Sequence, residues 1–345
     1  MGDGDIGGRL SVVVPCHCEE ESLTVLHRRL TAALAETTAE YEIILVDDGS
    51  GDATRETMRA LRRADPRVRW IGLTRNFGQQ AALTAGLARA RGDWVVTMDA
   101  DLQHPPELVP ELLRQARKGY DVVLTQRKDP VDTGLFKRFS SAVFYRLLSW
   151  MGGVRIAAGS SDFQLLSRRA LQALVAMPER HRFLRGLVRW TGFRSVTVPF
   201  QAEARYAGEP AYGLRRSVRL ALDAVFSFSI LPMRVASMVG LLAIVSSAIY
   251  AGWVLYAAVI LDIAIAGWAS LMVVVLLLGG LQILTLGILG EYVVRVYQEA
   301  KARPLFLIED EDGFGTAAGS PPTMAPPAPP PATGSTPDAS ERGGP

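Results

Sequence analysis

Two hydrophobic rhythms alternate along the first two hundred residues. Short apolar runs at Leu10–Val14, Tyr41–Val46, Val68–Leu73, Trp94–Met98 and Asp121–Thr125 read as buried strands. Between them, apolar residues recur at helical spacing over Glu20–Glu36, Asp52–Ala64, Gln79–Ala90 and Pro106–Lys118. Asp52 reads as an N-cap, and Pro105-Pro106 as a helix start. This alternation predicts an α/β domain over 10–213, with a mostly parallel, Rossmann-like sheet covered on both faces. Such sheets bind ligands beyond the carboxyl ends of their strands.

After residue 213 the rhythm changes. In Leu214–Phe228 the apolar Val218, Leu222 and Val225 lie opposite Arg215, Arg216 and Arg219, which predicts an interfacial amphipathic helix over 214–232. Val235–Leu261 and Ile263–Gly290 follow, 27 and 28 residues without a charge, separated by Asp262. Each exceeds the ~20 residues that cross a bilayer, so a transmembrane hairpin is expected, with helices at 235–261 and 267–290. Arg234 precedes it and Arg295, Lys301 and Arg303 follow, which puts both flanks on the cytoplasmic side. The α/β domain and both termini are then cytoplasmic. Gly279, Gly280, Gly287 and Gly290 suit close helix packing or a homo-oligomer. Residues 291–312 read as a cytoplasmic juxtamembrane segment and 1–9 as a flexible lead without a signal peptide. Nine of the 20 prolines fall in Pro321–Pro345, so 313–345 reads as a disordered tail.

Composition sharpens this only in places. Lys+Arg is 37 and Asp+Glu 35, a net charge of +2, which argues against nucleic acid as the partner. The two cysteines, Cys16 and Cys18, are too close for a useful disulfide and fit a reducing compartment. Between Arg180 and Arg219 there are nine arginines against Glu203 and Glu209. That basic belt beside the apolar zone suits anionic headgroups or a lipid phosphate.

The chemistry-bearing residues gather at the ends of the expected strands. Strand one runs into Pro15-Cys16-His17-Cys18-Glu19, strand two into Asp47-Asp48-Gly49-Ser50, and strand three into Arg75-Asn76-Phe77-Gly78. Strand four runs into Asp99-Ala100-Asp101-Leu102-Gln103-His104, and strand five into Arg127. A carboxylate pair such as Asp99 and Asp101 can hold Mg²⁺ or Mn²⁺ with positions left for a diphosphate. His104 reads as an added ligand, or equally as a supporting or solvent-facing residue. Cys16-His17-Cys18 lacks a second cysteine pair and is not a zinc site. No G-x-G-x-x-G follows strand one and no P-loop exists, so dinucleotide oxidoreductases and P-loop NTPases are disfavoured.

The runs VVVPCHCEEES, YEIILVDDGSGDAT, LTRNFGQQAALTAGL, VVTMDADLQHPPEL and SDFQLLSRRAL, in that order, resemble the inverting family 2 glycosyltransferases of GT-A fold. More narrowly they resemble the polyprenyl-phosphate branch, which includes dolichyl-phosphate mannose synthase and the GtrB-like bactoprenol glucosyltransferases. The segment GWASLMVVVLLLGGLQILTLGILGEYVVRVYQEAKARPLF is similar to the GtrB-like membrane end. The resemblance covers Ser11 to Ile308. It implies inverting sugar transfer from a nucleoside-diphosphate sugar to polyprenyl phosphate at the cytoplasmic face of the inner membrane. UDP-glucose is the first expected donor, with GDP-mannose and UDP-N-acetylhexosamine as competitors. By the same resemblance Pro15, Glu19, Asp47, Asp48 and Asp99 would bind the nucleotide sugar. Asp99, Asp101 and Gln103 would hold Mg²⁺ or Mn²⁺, and Asp162 would be catalytic. Arg127, Arg138 and Ser141 would meet phosphate.

Some positions depart from the resemblance. P-x-Y-N-E reads Pro15-Cys16-His17-Cys18-Glu19, and G-D-F reads Ser161-Asp162-Phe163. The segment like G-E-[ST]-K-Y reads Gly208-Glu209-Pro210-Ala211-Tyr212. A processive polysaccharide synthase would carry Q-x-x-R-W, but here Gly186 precedes Leu187-Val188-Arg189-Trp190. A non-enzymatic membrane scaffold would be expected to lose Asp99, Asp101 or Asp162, and all three are kept.

Overall fold

The computed structural model describes residues 8–128 apart from 36, 38 and 39, residues 160–203 apart from 181, and residues 267–314, with scattered residues between 238 and 260. The expected interfacial helix over 214–232, Arg138 and Ser141 lie outside the described residues, as does nearly all of the tail.

The chain runs β1 (Leu10–Cys16), α1 (Leu23–Ala35), β2 (Tyr41–Asp47), α2 (Thr54–Ala64), β3 (Val68–Leu73), α3 (Gln79–Arg89) and β4 (Trp94–Thr97). A 3₁₀ turn at Pro106–Leu108 leads into α4 (Val109–Ala116), as the Pro105-Pro106 pair predicts. Then come β5 (Val122–Lys128), β6 (Ser160–Ser167), α5 (Arg168–Ala176), α6 (Leu184–Trp190), β7 (Ser195–Gln201), α7 (Trp268–Ala300) and β8 (Ile308–Asp312). All five strands read from the sequence are present. Asp52 is not the N-cap of α2. Ala53 holds that position, and the Asp52 carboxylate instead accepts the Thr54 N–H.

One eight-stranded sheet has the order β7-β5-β6-β4-β1-β2-β3-β8. The pairs β1–β2, β1–β4, β2–β3 and β5–β7 are parallel, while β6 and β8 run antiparallel to their neighbours. This is the mostly parallel α/β sheet expected of a GT-A fold. Every residue of β1 and β2 is buried, because helices cover both faces and alternate side chains enter different cores. Val12, Val14, Ile43 and Leu45 pack with Leu26 and Leu30 of α1, Met58 of α2 and Leu112 of α4. Val13, Ile44, Val46 and Ile71 pack on the other face with Leu83 of α3, Leu171 of α5 and Leu187 of α6.

The reversal of β6 matters for function. Because it runs against β4, its first residues, Ser160–Asp162, lie at the end of the sheet where β1 to β5 finish. Neither β6 nor the second reversed strand, β8, is among the five read from the sequence. Residues 308–312, read as juxtamembrane, complete the sheet by pairing with β3. Glu309, Asp310, Glu311 and Asp312 face Arg55, Arg59, Arg89 and Arg62 respectively. These pairs are partly exposed, so each contributes at most about 1 kcal/mol. Phe314 holds more. It is 6% exposed, lies under the Arg69 and Arg89 guanidinium groups, and its carbonyl accepts from Arg91. Phe314→Ala is expected to cost about 3 kcal/mol. A lower thermal midpoint and faster trypsin cleavage after residue 300 would register it.

Among the described residues one helix is long and apolar enough to cross a membrane, and it lies in α7. α7 does not stop at residue 290 but runs 33 residues, from Trp268 to Ala300. At ~1.5 Å per residue it spans about 50 Å, against a hydrocarbon core of about 30 Å. Its last turns therefore extend toward the α/β domain, where the Glu299 carboxylate accepts the Arg180 N–H at 2.9 Å. The expected first span, 235–261, is described only in part, as a shorter apolar helix at Met238–Tyr250.

Candidate active site

The parallel strands deliver their last residues to one end of the sheet, and the sequence places carboxylates on three of those ends. Asp47 closes β2 and is fully buried. Its Oδ2 lies 2.9 Å from Arg55 Nε and its Oδ1 accepts the Ser50 N–H. Arg55 in turn binds Glu309 of β8 at 2.7 Å. Asp48 accepts the N–H groups of Phe77 and Gly78 at 2.7 and 2.9 Å, at the start of α3. Burial raises its carboxyl above the usual range, and the two N–H bonds act against that rise. Gly49 makes this turn possible. Its φ is +67°, and a Cβ there would lie 2.4 Å from the Arg75 carbonyl carbon.

Beside this turn, His17 Nδ1 donates to the Asp48 carbonyl and its Nε2 accepts from Asn76. His17 thus joins the ends of β1, β2 and β3. Pro15 is buried within β1. Glu19 carries its backbone N–H to Thr54 Oγ1, and its carboxylate accepts from Ser22 at 2.6 Å. Cys16 is buried, which pushes its thiol well up, so it is held protonated.

Past β4 the Asp99 carboxylate accepts from Gln79 Nε2 at 2.6 Å. Burial, then the neighbouring Asp162 and Asp101 carboxylates, push the Asp99 carboxyl up to about 7. Asp101 Oδ1 accepts the Gln103 N–H, in a turn where Leu102 has φ +63°. Gln103 Oε1 accepts from Arg127 at 3.3 Å. The sheet therefore brings Asp99, Asp101, Gln103, Arg127 and Asp162 together at one end.

Asp162 sits within β6, 2% exposed. Both of its oxygens accept from Arg185, Nε to Oδ1 and Nη2 to Oδ2, each at 2.7 Å. The third guanidinium nitrogen donates to the Ser160 carbonyl at 2.8 Å. Gln80 Nε2 lies 3.4 Å from Asp162 Oδ2, and its Oε1 accepts the Leu184 N–H that opens α6. Sequence reasoning missed Gln79, Gln80 and Arg185 as site residues. The signal for the glutamines was their place at the exit of β3, one residue beyond Phe77-Gly78. Arg185 was hidden among the nine arginines of the basic belt.

The donor set fits a hard divalent cation. Three carboxylates crowd close enough to raise Asp99, and a dication would relieve that repulsion. Among the described residues no group of three or more Asp, Glu, His or Cys side chains is placed to hold a metal ion. Asp99 and Asp101 would supply two carboxylate ligands to such an ion.

A model described as Glycosyl transferase family 2 matches residues 11–175. The glycosyltransferase sll0501 of Synechocystis sp. is 39% identical over 87% of this chain and 95% of its own length. The bactoprenol glucosyl transferase of Shigella phage SfV is 36% identical over 88% of this chain and 99% of its own length. Among solved structures, glucosyl-3-phosphoglycerate synthase from Mycobacterium tuberculosis aligns with a TM-score of 0.45 and 22% identity, over 65% of this chain and 80% of that one. The relatives align over most of the chain, and the resemblance read from the strand-end motifs holds: the chain is a glycosyltransferase and belongs to glycosyltransferase family 2.

Proposed function

We propose that this enzyme transfers a sugar, with inversion, from a nucleoside-diphosphate sugar to polyprenyl phosphate at the cytoplasmic face of the membrane. UDP-glucose is the first candidate donor. The observation that carries this reading is the junction of α7 with the sheet. The Thr74 N–H donates to the Leu307 carbonyl one residue past the end of β3. The apolar helix thus returns at the end of the sheet that holds the carboxylates, where an acceptor with a lipid tail and a phosphate head would present itself. The bactoprenol named in several relatives supports the same acceptor class.

Chain topology supports two membrane crossings. β1 to β7 precede the apolar region and β8 follows it, yet all eight strands share one sheet. A single crossing would put β8 on the opposite side from β3. An even number of crossings fits this shared sheet, and the 27 and 28 uncharged residues on either side of Asp262 are long enough for two.

In this reading Asp47, Asp48, Pro15 and Glu19 frame the nucleotide. Asp99 and Asp101, with Gln103, would hold Mg²⁺ or Mn²⁺. That ion, when bound, supplies Lewis-acid neutralisation of the leaving diphosphate. Arg127 is positioned for phosphate oxygens, which planar guanidinium groups suit, and Arg138 and Ser141 are assigned to the lipid phosphate. A phosphate monoester has its second pKa near 6 and is mostly a dianion at neutral pH. It needs little help from a base, so Asp162 with its Arg185 partner orients the acceptor rather than deprotonating it.

The test supplies detergent-purified protein with Mn²⁺ or Mg²⁺, polyprenyl phosphate and a panel of nucleotide sugars, and weighs the lipid by mass spectrometry. A single hexose added to polyprenyl phosphate is expected. Transfer to a glycan or sugar alcohol but not to the lipid would overturn the acceptor assignment.

A further inference from the structure

We propose that His104 is a positioning residue that clips the D-x-D turn to β6 and so fixes where Asp99 stands relative to Asp162. The inference rests on the reading of Asp99 as part of a cation–diphosphate site.

The geometry decides the state of the imidazole. His104 Nδ1 lies 3.0 Å from the Asp99 N–H, a group that can only donate, so Nδ1 accepts. The proton of the neutral ring is then on Nε2, which donates to Ser161 Oγ at 2.6 Å. Ser161 Oγ also accepts the Phe163 N–H at 3.2 Å. The ring is stacked on Phe163 at 5.2 Å between centroids and meets Phe200 edge-on at 5.8 Å. With both nitrogens committed inside the protein, His104 is neither a cation ligand nor a proton shuttle.

What the ring does instead follows from the two strands it joins. Asp99 leaves β4 and Asp162 lies in β6, and the β4–β6 ladder ends at the Thr97–Gln164 pair. Two side-chain links continue the join beyond it. Thr97 Oγ1 donates to the Asp162 carbonyl, and His104 spans from the Asp99 N–H to Ser161. The left-handed backbone at Leu102 turns the chain back so that the ring can reach Asp99, five residues earlier. Ser161 stands where the resemblance leads one to expect glycine, a residue with no hydroxyl to make this link.

Side-chain mimicry tests the clip. In His104→Asn the amide oxygen can replace Nδ1 as acceptor. His104→Leu keeps a similar volume against Phe163 and removes both hydrogen bonds. The readout is Mn²⁺ binding in the presence of UDP, followed by the electron paramagnetic resonance signal of free Mn²⁺, with no acceptor and no turnover. Supporting residues of this kind are worth about 10–100-fold in metal affinity. His104→Leu is expected to weaken Mn²⁺ by that factor, and His104→Asn to recover most of it. Ser161→Ala is expected to fall between. Thermal midpoints measured alongside separate positioning from folding, because a purely structural ring would make Asn and Leu equally poor. Unchanged Mn²⁺ affinity in folded His104→Leu, or no difference between Leu and Asn, would overturn the proposal alone. Wild-type protein that binds no Mn²⁺ with UDP would overturn it together with the reading beneath it.

Discussion

Asp101→Asn is expected to lower sugar transfer about a thousandfold while leaving the thermal midpoint unchanged or slightly raised. Replacing Asp101 by Asn keeps an oxygen able to accept the Gln103 N–H, so the turn is preserved. It removes one of the two carboxylate charges that crowd Asp99, which relieves repulsion in the cation-free protein. What it takes away is half the formal charge available from the Asp99–Asp101 pair. Lewis-acid stabilisation of a leaving diphosphate is worth several kcal/mol, and each ~1.4 kcal/mol is tenfold in rate. A loss of about 4 kcal/mol gives the thousandfold figure. The signature is opposite movement, with stability held and turnover lost. Retention of more than a tenth of wild-type kcat at saturating Mn²⁺ would remove Asp101 from the cation site.

The strand ends were legible in the sequence because they obey a period. Five apolar runs that start 26 to 31 residues apart, each followed by acidic or basic residues, leave little freedom in where β1 to β5 finish. The two reversed strands were less visible for different reasons. β6 contains a buried acid, Asp162, which interrupts the apolar signal of SSDFQLLS. β8 reads IEDED and has no apolar run, since this edge strand is held by ion pairs to Arg55 and Arg89 and by Phe306, Ile308 and Phe314 packed beside it. The partners of the site acids were the least legible. Arg185 lies 23 residues from Asp162 in sequence, and only packing of α6 against the sheet brings them together. His104 was visible as a candidate, but its role depends on which atom faces Asp99, and that is set by the turn at Leu102.

The pair of Asp162 and Arg185 carries the second large expectation, and it is asymmetric. Arg185→Ala leaves a carboxylate that is 2% exposed without its bidentate partner. Stranding a buried charge costs about 3–5 kcal/mol. Asp162→Asn leaves a guanidinium whose side chain is 32% exposed and can turn to water, so its cost is smaller. The double variant Asp162→Asn with Arg185→Ala strands no charge and should be more stable than Arg185→Ala alone. Denaturation midpoints of the three proteins measure that coupling. Transfer should fall at least a hundredfold in both single variants, on the order of what one well-placed group contributes to catalysis. The pH profile then separates two roles. Arg185 donates to both Asp162 oxygens, which fixes the orientation of the carboxylate. The acceptor phosphate gains its second charge unaided above pH ~6. Asp162→Asn is therefore expected to stay impaired by the same factor from pH 6.5 to 9. Full recovery at the alkaline end would make Asp162 a base whose work hydroxide can replace, and the orienting role would fail.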